Sequence, residues 1–306
     1  MVKKQKINWV SVIIPTYNRA KKLPRCVQSC LTQTHKNVEA IVIDDGSNDE
    51  TPVILNDLEE QWGKNHFRWI RQKNQGACIA RNVGLDLACG EFIQFLDSDD
   101  FLLPMKFEQQ ILALRKCDFP VAVCDFKYVS EKTNVSLHSK NNSGNLWEKL
   151  ADFKSISIFS PLIRSDSIPE SLRWNPTILR NQDMDFMLRY FLSIQGWVYT
   201  PGFWCFYMMH EDDQLSDTYN KGSQYKELYI SLITYWKNNK KIIPATNSWV
   251  VRQFTLKMAQ YLERQGKKNI AVSLGQDVMQ RPFSRKRSID FLKILLRFII
   301  PAWLRG

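Results

Sequence analysis

Three times within residues 1–100 a short β-branched apolar run passes straight into a cluster of polar turn residues, and this repetition restricts the fold more than any other feature. Trp9-Val10-Ser11-Val12-Ile13-Ile14 leads into Pro15-Thr16-Tyr17-Asn18, Val38 to Ile43 into Asp44-Asp45-Gly46-Ser47, and Glu91 to Leu96 into Asp97-Ser98-Asp99-Asp100. Apolar runs of this length suit strands buried on both faces of a parallel sheet. Helical stretches separate them: Lys21 to Gln33, then Pro52 to Trp62 with Thr51 as cap and Pro52 in the first turn, then Gly76 to Cys89 before Gly90. Strand alternating with helix predicts an α/β fold. In open parallel sheets ligands gather at the carboxyl ends of the strands, so the three polar clusters are expected on one rim.

Past Pro104 the pattern changes. A helix is expected near Met105 to Lys116, a strand at Pro120 to Val129, and a loop over the polar stretch Ser130 to Asn145. Asp183 to Ile194 has helical spacing, Gly196 to His210 reads as extended and aromatic, and the text after about Lys221 is almost entirely helical. The expected divisions are therefore 1–105, 106–220 and 221–306.

The polar clusters have a chemistry as well as a place. Asp97-Ser98-Asp99-Asp100 puts three carboxylates in four residues, a concentration of negative charge that a cation relieves. Mg²⁺ takes one or two carboxylates and completes its octahedron with water and phosphate oxygens, so the cluster suits a metal-diphosphate; a solvated acidic turn capping the next helix is the plainer reading. Asp44-Asp45-Gly46-Ser47 is either a turn with a cap or a place where a carboxylate accepts an N–H from a base. Tyr17 offers a ring for stacking on that base, or is simply a rim aromatic.

Taken together, Val10 to Arg19 (VSVIIPTYNR), Val42 to Asp49 (VIDDGSND), Asn74-Gln75-Gly76, Ala80-Arg81-Asn82 and Gly90 to Asp100 (GEFIQFLDSDD) resemble glycosyltransferase family 2 in order and spacing. The resemblance implies the GT-A fold, a Rossmann-like, mostly parallel central sheet flanked by helices, here with a helical C-terminal region. It implies an inverting transferase that uses a nucleotide-sugar, with UDP-sugars favoured, and Mn²⁺ or Mg²⁺. It further implies that Pro15, Tyr17 and Asp45 contact the nucleobase, that Arg81 lies near the donor, that Asp97 faces the ribose or metal side, and that Asp99 binds the metal. The family's Glu-Asp motif, whose Asp is the general base, matches Asn181-Gln182-Asp183-Met184-Asp185, with Gln182 in place of Glu. Asp183 is the first choice for the base and Asp185 its competitor. His210 resembles the family's His near the diphosphate, although Met208 stands where Arg is common.

Composition limits the setting. The net charge of +11 favours anionic partners without choosing among them. Seven cysteines without a CxxC pair argue against a disulfide framework or zinc site, and for free thiols in a reducing compartment. The apolar stretch ending at Pro15 is too short for a secretory signal, which suggests the cytoplasm. Residues 285–305 mix long apolar side chains with cations; Lys293 and Arg297 share a helix face, while Leu292, Leu295, Leu296 and Ile299 cover another. Such a helix lies in an anionic membrane interface, or packs on protein. A peripheral position on the inner face of the cell membrane, with a lipid-linked glycan acceptor of cell-surface polysaccharide or lipopolysaccharide synthesis, follows as an expectation. The rivals are a nucleotide-sugar-binding scaffold without turnover and a phosphotransferase with Asp97 as nucleophile. No GxGxxG or P-loop occurs, and outside the tail the charge is too dispersed for nucleic acid.

Overall fold

In the computed structural model, residues 5–130, 136–139, 157–209, 221–239, 241–244, 251 and 255 are described. The chain divides into two compact units, Met1–Tyr219 and Asn220–Gly306. In the second, the helix Lys221–Asn238 occupies a stretch expected to be helical. The 285–305 segment lies outside the described residues, among which no helix is long and apolar enough to cross a membrane.

The first unit is built on one sheet. Strands β1 (Lys6–Thr16), β2 (Val38–Asp44), β3 (Phe67–Arg71) and β4 (Gly90–Phe95) alternate with helices α1 (Leu23–Leu31), α2 (Thr51–Trp62) and α3 (Ala77–Leu87). After β5 (Phe101–Leu102) and α4 (Lys106–Arg115) come β6 (Val121–Ser130), β7 (Ser136–Ser139), β8 (Leu162–Arg164), α5 (Gln182–Ser193) and β9 (Val198–Met209). The sheet order is β3-β2-β1-β4-β8-β6-β9-β5, with β7 paired to β6. From β3 to β4 every pairing is parallel, whereas β8 is antiparallel to both neighbours and β6 and β9 are again parallel. The parallel character expected from sequence therefore belongs to the first half, and the second is mixed.

Alternation along the strands decides which helices cover which face. Val10, Val12 and Ile14 join Leu23, Val27, Leu55 and Phe107 of α1, α2 and α4 in one core. Ile41 and Ile43 instead meet Ala80 of α3, with Val83 and Leu87 packed alongside. On that second face Gly84 of α3 sits so close to β1 that an added Cβ would lie 2.3 Å from Ile13 Cγ2. Gly-to-Ala exchange inside a helix ordinarily stabilises by roughly 0.5–1 kcal/mol. Here overpacking reverses the sign, and Gly84→Ala is expected to destabilise by about 1–2 kcal/mol. A urea midpoint that stays put or rises would contradict this.

Two local expectations change, and one strand had not been expected. Phe67–Arg71 is a strand, and β7 occupies part of the stretch read as a loop, pairing Phe126 with Ser139 through Val129 with Ser136. Thr51 does not cap α2: the helix begins at Thr51 itself, and its hydroxyl accepts the backbone N–H of Arg19 at 3.1 Å. Asp49 works at that helix start instead, accepting Thr51 N–H at 3.0 Å and Ala20 N–H at 3.2 Å. All seven cysteines are free thiols.

Candidate active site

The strand order turns about β1: β2 and β3 follow on one side, then the chain crosses to place β4 on the other. Such a reversal opens a crevice at the strands' carboxyl ends, since the loops that follow run in opposite directions. The loops after β1, β2 and β4 meet there. Asp45 N–H donates to Thr16 C=O at 2.8 Å, Asn18 N–H to Ser47 Oγ at 2.9 Å, and Asn48 N–H to Asn18 Oδ1 at 2.8 Å. Asn18 adopts φ 52°, a left-handed conformation that Asn tolerates. Pro15 is buried beside Ile43 of β2 at a point where the ladder to β4 has already ended, so its missing N–H costs no strand pairing there. Tyr17 stands at the rim, 42% exposed.

Asp45 is buried and anchors the loop before α3. Its Oδ1 accepts Gln72 Nε2 at 2.7 Å and Gln75 N–H at 2.9 Å, and its Oδ2 accepts Gly76 N–H at 2.7 Å. A carboxylate has about four acceptor positions, which leaves room for one further donor. Gly46 is required by this packing: at φ 81° an added Cβ would lie 3.0 Å from Asn74 N. The adjacent Asp44 accepts Ser47 N–H at 2.9 Å and forms a 3.5 Å ion pair with Arg71 that lacks hydrogen-bond geometry.

The acidic loop after β4 holds its three carboxylates in three states. Asp97 is partly exposed and takes a 2.7 Å bond from Arg81. Asp99 lies 3.7 Å from Arg19 Nε, and its backbone carbonyl accepts Arg25 at 3.0 Å. Asp100 is buried; Oδ1 accepts Met208 N–H at 3.0 Å, while Oδ2 has no hydrogen-bond partner among the described residues. Burial first, then the charges of Asp97 and Asp99, push the Asp100 carboxyl well above the usual range. Among the described residues no three His, Cys, Asp or Glu side chains assemble into a metal site on their own. A cation that arrives with a diphosphate needs only one or two carboxylates, and the unpartnered Asp100 oxygen beside Asp97 and Asp99 is the electrostatic demand it would meet. The loop thus fits Mn²⁺ or Mg²⁺ held with a ligand.

Arg81 joins this loop to the second half of the unit. It donates to Asp97 and, at 3.0 Å, to Gln182 Oε1, while its guanidinium lies 4.5 Å from the Trp174 ring centroid. Trp174 stacks on Phe186 of α5 at 4.3 Å and is clamped by Asn82, which donates to Trp174 C=O at 2.9 Å and accepts its N–H at 2.8 Å. At the start of α5, Asn181 turns the chain at φ 54°. Asp183 follows, only partly buried, its carboxyl raised by desolvation and by Asp97, with Arg81 opposing. Asp185 is 2% exposed and holds Arg189, also buried, through both Nε and a terminal nitrogen.

Of the residues singled out from sequence, Pro15, Tyr17, Asp45, Arg81, Asp97 and Asp99 lie on or beside the rim, and the field of Asp97 reaches Asp183. Asp185 turns into an ion pair of the core, and His210 lies outside the described residues. Sequence reasoning assigned no role to Asn82, Trp174 or the Gln72–Gly76 loop. Asn82 and Gly76 did stand inside quoted motifs, whereas Trp174 carried no local signal.

A mixed α/β sheet with an acidic loop and a polar crevice at its switch point has the form of a ligand-binding α/β domain. The glycosyl transferase family 2 model matches residues 11–185, and the chain belongs to that family. An uncharacterized glycosyltransferase of Rickettsia felis is 33% identical over 171 residues, 54% of this chain and 28% of that protein. One of Haemophilus influenzae is 42% identical over 102 residues, 33% of this chain and 40% of the relative. The match to the first of these thus spans little more than a quarter of its length. Among solved structures, S. aureus TarS 1-349 in complex with UDP-GlcNAc superposes with TM-score 0.67 at 19% identity, over 88% of this chain and 81% of that one. The mannosyltransferase PcManGT of Pyrobaculum calidifontis, in complex with GDP-Man and Mn²⁺, gives 0.57 at 13% identity over 95% and 84%. These likenesses establish the GT-A type of fold.

Proposed function

We propose that the chain transfers a sugar from a nucleotide-sugar, with UDP-sugars first, to a hydroxyl of a lipid-linked glycan, inverting the anomeric carbon. The observation that carries this reading is the Arg81 bridge, which ties Asp97 on the donor rim to Gln182, the neighbour of Asp183. Donor groups and a candidate base are thereby held on one framework. Tyr17 would stack on the base, and the remaining acceptor position of Asp45 would take a base N–H. Asp99, with His210 as a second candidate, would hold Mn²⁺ or Mg²⁺, which when bound stabilises charge on the departing diphosphate. Asp183 removes the acceptor hydroxyl's proton as that oxygen attacks opposite the leaving group, and the opposite-face attack gives inversion. The TarS complexes with UDP-GlcNAc and with UDP support the donor class.

The basic amphipathic text at 285–305 supports an acceptor presented at the inner face of the cell membrane, in synthesis of cell-surface polysaccharide or lipopolysaccharide. The test of the transfer reading is a panel of UDP-, GDP- and dTDP-sugars with Mn²⁺, following diphosphate release. One donor is expected to turn over, Asp99→Ala to slow it, and added Mn²⁺ to recover part of the loss. Neither release nor binding of any donor would sink the reading.

A further inference from the structure

Strands β6 and β9 run parallel and set Tyr128 opposite Tyr207. Their rings meet at 5.4 Å between centroids and 68°, which makes a corner rather than a stack. Phe126 braces Tyr128 edge-on at 5.1 Å, and Phe159 lies 6.2 Å from Tyr207. Both phenylalanines are buried, yet Tyr207 is 39% exposed and Tyr128 is partly exposed. Neither tyrosine hydroxyl has a hydrogen-bond partner among the described residues. The corner borders the rim, because the residue after Tyr207 donates its N–H to Asp100. Burial, followed by the charges of Asp100, Asp97, Asp99 and Asp183, pushes Tyr207 up to about 12, and burial with Asp183 raises Tyr128. Both phenols therefore remain hydrogen-bond donors at neutral pH.

Two rigid aromatic faces at an angle, each edged by an unused donor and both within the field of the candidate base, match the chemistry of a pyranose. Such a ring presents a face of C–H groups, which lies on a π surface, and a rim of hydroxyls, which accepts from phenols. We infer that Tyr128 and Tyr207 form the acceptor-sugar subsite, taking the C–H face of a pyranose ring and directing one of its hydroxyls to Asp183. This rests on the transfer reading above and deepens it. Lipid would gain nothing from the two hydroxyls, and the nucleobase is assigned to Tyr17 in the reading above.

The test is saturation-transfer NMR on the full chain with UDP and Mn²⁺ present, using methyl glycosides of glucose, galactose, mannose and N-acetylglucosamine. Saturation is expected on the ring C–H protons of at least one glycoside. Tyr128→Ala and Tyr207→Ala should each reduce it roughly fivefold, the scale of one aromatic contact, while Tyr207→Phe keeps most of it. Should an Ala variant fail to bind UDP, Leu at that position, which fills the space without a π face, replaces it under the same criterion. The subsite is overturned if no glycoside gives a signal on the wild-type chain, or if signals persist undiminished in both variants. A wild-type chain that binds none of UDP, GDP and dTDP would sink the transfer reading itself, whereas nucleotide binding with glycoside indifference sinks only the subsite.

Discussion

Asp183→Asn is expected to lower sugar transfer by about 10²- to 10⁴-fold, the usual contribution of a positioned general base, while UDP still binds. Asn is isosteric and keeps the start of α5, but it cannot accept a proton. A sugar hydroxyl is a poor nucleophile unless its proton leaves as the new bond forms, so the loss falls on kcat. The pH dependence follows from the surroundings of Asp183. Desolvation and the Asp97 charge raise its carboxyl, and Arg81 offsets part of that. A base must be ionised to work, so the acid limb of kcat/KM should fall as pH drops through a value raised above that of an ordinary aspartate. Transfer rates of the Asn variant within a few-fold of wild type, with intact UDP binding, would remove Asp183 from the role.

Most of the donor half was legible because β1, β2 and β4 are buried on both faces over most of their length, so that hydrophobic runs and turn clusters mark these elements and the rim. Where burial is one-sided the text fails. Phe67–Arg71 carries two arginines because β3 lies at the sheet edge, paired among the described residues only to β2, and edges tolerate charge. Lys106 reads as a surface residue of its helix, yet it is fully buried, donating to Gln94 and Gln110, and burial lowers its ammonium's pKa. Gln110 lies one turn along the same helix, but nothing along the chain announces Gln94 of β4 as the second acceptor. Likewise the Asn82 clamp on Trp174 joins residues 92 apart, and the Tyr128–Tyr207 corner depends on strand register. Thr51 shows the reverse case: its local capping signal is sound, but the Arg19 N–H offers its hydroxyl a better-placed donor.

The same limit explains why sequence left Asp183 and Asp185 in competition. Residues two apart on a helix point about 200° away from each other, so one faces the rim and the other the interior, but the text does not say which. The structure assigns the faces through the hydrophobic neighbours: Met184, Asp185, Phe186 and Leu188 are buried, and Asp183 is only partly so. Gln182, where the family has Glu, then acquires a definite place. A neutral acceptor for Arg81 leaves the guanidinium's charge to act on Asp97 and Asp183 rather than on its immediate neighbour.

The buried partner of that pair sets the second large expectation. Asp185→Ala should destabilise the first unit by about 3–5 kcal/mol, because Arg189 keeps its charge in the core after its carboxylate is gone. For a unit of this size that corresponds to a fall in Tm on the order of 10 °C. The penalty comes from a buried charge that loses the carboxylate accepting two of its N–H groups and not from losing a favourable pair, since desolvation offsets most of what two buried ions gain from each other. Removing both charges, in Asp185→Leu with Arg189→Met, is therefore expected to recover most of the stability. Calorimetry on the single and double variants separates these cases: a double variant as unstable as the single one would mean that Arg189 is held by more than Asp185. Transfer measured well below the unfolding transition then settles the competition between the carboxylates. Activity retained by folded Asp185 variants and lost in Asp183→Asn assigns the base to Asp183, and the opposite pattern would move it to Asp185 and require Arg189 to release it during the reaction.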